Sequence, residues 1–140
     1  MKTPHLLAVA GTSASYAALF AYLEAAGMRV GWLDLTASAG PPPALEAAVA
    51  AGVHRAVEVT DGRTVVVKGR RGPAVLRDLL REHFLGCVLV LVRGGEDMPL
   101  LAAGEAEGDW RVEAAGETHE LSSAALAARL RRPRPWPRSR

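Results

Sequence analysis

Thirty residues near the start of the chain, Leu6 to Leu35, constrain its fold more than any other stretch. Leu6 to Ala10 is uninterrupted apolar sequence, the pattern of a central parallel strand covered on both faces. A run of small residues follows, Gly11-Thr12-Ser13-Ala14-Ser15. Tyr16, Leu19, Phe20 and Leu23 then fall at i, i+3, i+4 and i+7, a single apolar helical stripe. Ser13 or Ser15 is the expected N-cap and Gly27 the expected stop. Arg29 to Leu35 reads as a second strand. A strand, a helix and a strand in this order make the right-handed crossover of a parallel sheet.

At 140 residues and 49% hydrophobic, the chain suits one compact domain over residues 1–130, followed by a disordered basic Arg/Pro tail at 131–140. It has no run of eighteen or more apolar residues, and its start lacks the pattern of a signal peptide. A cytoplasmic protein with no membrane partner is therefore expected. The pI of 9.1 points to an anionic partner until the charge is followed along the chain. Five of the 17 basic residues lie in the last ten positions, which leaves 12 basic against 15 acidic, a net −3, in residues 1–130. A nucleic-acid reader needs its Lys and Arg on one folded face, so nucleic acid is not the expected partner.

Downstream, Pro43 opens a short helix over residues 44–51 that Gly52 closes. His54 to Thr60 and Thr64 to Lys68 flank Asp61-Gly62-Arg63, a tight-hairpin composition, so an antiparallel pair is expected to join the parallel sheet. Pro73 opens a helix whose Val75, Leu76, Leu79, Leu80 and Phe84 are expected to face the core. Val88 to Val92 reads as a second buried strand, with Cys87 at its head as a small buried hydrophobe. Pro99 to Ala103 is a short apolar run, Trp110 to Ala114 a strand, and Ser122 the cap of a last helix stapled by Leu121 and Leu126.

The loop Gly11 to Ser15 has the small side chains that a phosphate cradle needs, where backbone N–H groups opening onto a helix hold an anion. Its chemistry is incomplete. Against G-x-x-x-x-G-K-[ST] starting at Gly11, Tyr16 stands at the second Gly, Ala17 at the Lys and Ala18 at the Mg²⁺-binding hydroxyl. Nor does a nucleophile elbow fit, because Ser15 stands where its closing Gly belongs. His5, His54, His83 and His119 are scattered without metal-ligand spacing.

In the order of its segments the chain resembles the molybdopterin-guanine dinucleotide biosynthesis protein B family of GTP-binding P-loop proteins. The residues that carry this are Leu6 to Gly11, Leu23 to Gly31, Ala50 to Val53 before the hairpin, Leu76 to Leu80, and Val88 to Gly94. The resemblance implies a three-layer, P-loop-like α/β domain, with a mainly parallel sheet and an added antiparallel hairpin. It also implies a homodimer that binds GTP and works beside another molybdenum-cofactor biosynthesis protein. Carried over, the phosphate site would comprise Gly11, Thr12, Ser13, Ala14, Ser15 and Tyr16, with Arg93 and Gly94 at the facing strand end. Arg93 replaces the Glu that the family carries there, and Leu33 to Ser38 lacks the family's basic and histidine residues. The expectation is a degenerate member that holds GTP or another phosphate without efficient hydrolysis and without Mg²⁺. The alternative is a non-enzymatic dimeric scaffold or interaction module that has lost nucleotide binding. Arg93 itself has two candidate partners, a ligand phosphate in the crevice or Asp34 at the neighbouring strand end.

Overall fold

The computed structural model describes residues 3–37 and 40–138. Ser38, within the segment read against the family, and the last two residues of the tail lie outside these. The elements in order are β1 (His5–Val9), α1 (Ala17–Ala25), β2 (Val30–Asp34), α2 (Pro43–Ala50), β3 (Arg55–Thr60) and β4 (Arg63–Lys68). There follow α3 (Leu76–His83), β5 (Leu89–Arg93), β6 (Leu100–Ala103), β7 (Asp109–Ala114), β8 (Glu117–Ser122) and α4 (Ser123–Leu130). The chain forms two compact units, residues 37–80 and the remainder.

The larger unit is a mixed α/β layer structure on a six-stranded sheet of order β2-β5-β1-β6-β7-β8. The first four strands run parallel, and β7 pairs antiparallel with both β6 and β8. Alternation along the strands sorts the apolar residues by face. Leu7, Val9, Leu89, Leu91, Leu101 and Val112 meet α1 and α4 through Leu19, Leu23, Leu126 and Leu130 in one core cluster. Val90 and Val92 are also fully buried, on the opposite face. There Gly31 leaves room for the Phe84 ring, which a Cβ would strike. Trp136 packs against the α-covered core, and the Arg129 guanidinium stands 5.0 Å over its ring.

Helix stops follow the glycines. Gly27 (φ 77) and Gly52 (φ 109) take the left-handed conformation just past α1 and α2. Met28 N–H returns to Leu23 O and Val53 N–H to Ala48 O, the Schellman arrangement. Ser122 caps α4, its hydroxyl accepting from Ala125 N–H at 3.1 Å. The start of α1 differs from the expected serine cap. A 3-10 turn over Ser13–Tyr16 precedes it, and no side chain caps either segment.

The smaller unit holds α2 and the hairpin β3–β4. The hairpin pairs from Arg55↔Lys68 to Thr60↔Arg63 as its own two-stranded sheet, and does not extend the six-stranded one. Its Ala56 and the Leu45 of α2 are buried, whereas Val57, Val59 and Val66 are exposed. Other differences are local. The helix expected from Pro73 begins at Leu76 and buries none of its residues fully, and Val75 is exposed. Cys87 is half-buried rather than buried. Strand β8 has a polar sequence with no apolar alternation to announce it. It is set by the two-residue turn Ala115-Gly116, both at positive φ, which brings Glu117 opposite Ala114.

Replacing Gly31 with Ala should lower the free energy of unfolding by about 1–3 kcal/mol, the usual cost of overpacking. Urea unfolding checks this, the expected result being an earlier midpoint at unchanged slope.

Candidate functional site at the carboxyl edge of the sheet

Register places the ends of three parallel strands together, Val9 opposite Arg93 and Arg93 opposite Asp34. The loops after β1, β5 and β2 therefore meet at one edge, where ligands bind in open α/β sheets. Gly11, Thr12, Ser13, Ala14, Ser15, Tyr16, Arg93 and Gly94 all belong to these loops or strand ends.

The loop after β1 is short, with Thr12 to Ser15 exposed, and two of its amides are used within the turn. Ser15 N–H donates to Thr12 O at 3.1 Å, and Ala17 N–H donates to Ala14 O. Beside them, Gly11 is so close to Ser15 that a Cβ on it would stand 3.2 Å from the Ser15 hydroxyl. Tyr16 is 5% exposed. Its hydroxyl donates to the Leu101 carbonyl of β6 at 3.1 Å. Its ring stacks on Trp110 at 5.8 Å and lies 6.0 Å from Trp32. Burial pushes the Tyr16 phenol above its ordinary value, opposed by hydrogen bonding from the backbone of Gly11 and Ala10. Of the two roles the sequence offered Tyr16, loop residue or first residue of the core stripe, its side chain takes the second.

Across the edge, Arg93 pairs with Asp34, its guanidinium nitrogen 3.3 Å from the second carboxylate oxygen. The first carboxylate oxygen accepts from the amide and the hydroxyl of Thr36, each at 2.8 Å. Thr36 also lies against Gly94 (φ 80), where any Cβ would collide with its methyl group. Two participants were not singled out from the sequence, Thr36 and the Leu101 carbonyl. An Asp two residues before a Thr at a strand end was the available sign of the Asx turn. No sequence sign marked the carbonyl. Among the described residues no group of three or more His, Cys, Asp or Glu is placed to hold a metal ion, and no helix is long and apolar enough to cross a membrane.

The Asp34 carboxyl is held below the usual carboxylate range, first by the Thr36 amide, then by its hydroxyl, with the Arg93 charge a smaller cause. A depressed carboxyl pKa stabilises the fold above the unfolded-state value, and that contribution is lost as pH falls through the folded-state value. The melting temperatures of the native chain and Asp34→Asn should therefore differ most near neutral pH and converge below about pH 4. Thermal unfolding across a pH series measures this, and a pH-independent gap would contradict it.

No family model matches the chain, and no curated protein matches it. A similar solved structure is that of MobB from Bacillus subtilis, 19% identical, with a TM-score of 0.46, covering 69% of this chain. The match spans 64% of the MobB chain.

Proposed function

We propose that this chain is a non-enzymatic interaction domain, a P-loop-like scaffold whose loop after β1 serves the core and takes no nucleotide. The observation that carries this reading is the seat of Tyr16. A triphosphate cradle needs convergent free amides, a cationic side chain and a hydroxyl for the metal. Here the Ser15 and Ala17 amides are committed to the turn, the phenol beside the loop is committed to the Leu101 carbonyl, and Ala17 and Ala18 stand at the positions of the cation and the hydroxyl. These residues do not fit GTP. The finer alternative, GTP or another phosphate held during molybdenum cofactor maturation, rests on Arg93. Its side chain is 38% exposed beyond the contact with Asp34.

Calorimetry with GTP and GDP, with and without Mg²⁺, separates the two. No heat is expected at millimolar nucleotide. Binding that disappears in Arg93→Ala would restore the phosphate reading and overturn this one.

A second copy of the chain is the partner favoured by the hairpin. On one face of β3–β4, Val57 and Val66 stand directly opposite each other and, with Val59, are 51%, 46% and 73% exposed. A two-stranded sheet is marginal in water unless its faces are covered, and this valine patch, bordered on the same face by Arg55 and Lys68, can be covered by its own copy. Native mass spectrometry should find a dimer that Val59→Lys converts to a monomer. A monomeric native chain would remove the dimer from the proposal.

A further inference from the structure

The other end of β1 has the opposite character. Residues 5, 7 and 9 of a parallel strand address one neighbour and residues 6 and 8 the other. His5 N–H donates to Val88 O beside β5 at 2.8 Å, and Ala8 N–H donates to Pro99 O on the β6 side at 2.7 Å. Ala8↔Leu100 is the one register pair joining β1 to β6. The next rung would need residue 99 to donate to the Leu6 carbonyl, and Pro99 has no N–H. Asp97 (φ 58) then turns the chain. Among the described residues no backbone bond reaches the Leu6 amide or carbonyl from this side.

Beside the missing rung lies a cavity of about 570 Å³ whose walls include Leu6, Met98, Glu113, Ala114, Arg134 and Trp136. The Trp136 residue lines this cavity, and its indole nitrogen is buried without a hydrogen-bond partner, which makes the ring a sensitive reporter of any change at the wall.

We propose that this cavity is a strand-addition slot that takes an extended peptide segment of a partner protein. Leu6 offers an amide and a carbonyl side by side, and an extended backbone presents the matching carbonyl and amide at the same pitch. A simple anion would satisfy the amide and leave the carbonyl bare, and a simple cation would do the reverse. Walls carrying both Glu113 and Arg134 favour neither ion. The volume falls within the range of ordinary ligand sites, about 300–1,000 Å³, enough for a few residues of extended chain. The slot deepens the interaction-domain reading by giving the partner a chemistry. It lies at the amino end of β1, away from the Gly11 loop, so nucleotide binding there would overturn that reading and leave this one standing.

The test is selection of a random heptapeptide library displayed on phage against the full chain, followed by NMR titration with the enriched peptide in synthetic form. The Leu6 amide is expected to exchange freely in the unbound chain and to slow about tenfold or more with peptide, while the Trp136 indole resonance shifts. Met98→Trp, which fills the slot, should abolish peptide binding. The NMR result on the native chain stands without that variant. Several outcomes overturn the slot: no enriched peptide, a Leu6 amide already protected in the free chain, or peptide binding that leaves Leu6 exchange unchanged or survives Met98→Trp. Equal shifts from acetate or phosphate would overturn the peptide in favour of a small anion.

Discussion

The hydrogen bond from the Tyr16 hydroxyl to the Leu101 carbonyl anchors the candidate edge of the larger unit to its sheet. It ties the loop after β1 to β6 across 85 positions of sequence, where the sheet itself supplies one register pair. A buried bond of this kind contributes about 1 kcal/mol net, but an unpaired carbonyl in its place costs about 1–3 kcal/mol. The stack of Tyr16 on Trp110 adds roughly 0.5–1.5 kcal/mol. Trp110 is in turn fixed by its indole N–H donating to Ser123 Oγ at 3.0 Å, at the start of α4. Loop, sheet and last helix are joined through one aromatic pair.

That pairing sets what each end of β1 has left to offer. At the carboxyl end, the loop forms a 3-10 turn beside the buried Tyr16 ring that uses the Ser15 and Ala17 amides, and the Arg93–Asp34–Thr36 set closes the neighbouring strand ends. At the amino end, Pro99 stops the ladder and leaves Leu6 unmatched on one side. The two ends of one five-residue strand thus differ in which backbone groups are matched, and the difference comes from a tyrosine and a proline.

Much of the fold was legible because its signals are local. The apolar runs at Leu6 and Val88, the stripe Leu19-Phe20-Leu23, the stops at Gly27 and Gly52 and the Ser122 cap each act within a few residues of themselves. The polar strand β8 was not legible, because its position depends on the turn Ala115-Gly116 and on cross-strand pairing such as Arg111 with Glu120 at 2.9 Å, neither of which alters hydropathy. At the candidate site Tyr16 fits two incompatible roles, loop residue and core residue, when read from sequence alone. Choosing between them required the Leu101 carbonyl, a backbone group that no residue type reveals. The pairing of Arg93 with Asp34 was readable from strand-end positions, whereas the part played by Thr36 needed the turn.

The uncovered valine face of the hairpin has a consequence for how the chain comes apart. With one short helix and two strands, the unit at residues 37–80 buries little beyond Leu45 and Ala56, so its opening exposes little new apolar surface and costs correspondingly little. Proteases should find their first cuts there, well before the six-stranded sheet yields. Once opened, the run Thr64 to Val67, rich in β-branched residues, becomes a segment prone to aggregate, held in check by the charges of Arg63 and Lys68 on either side.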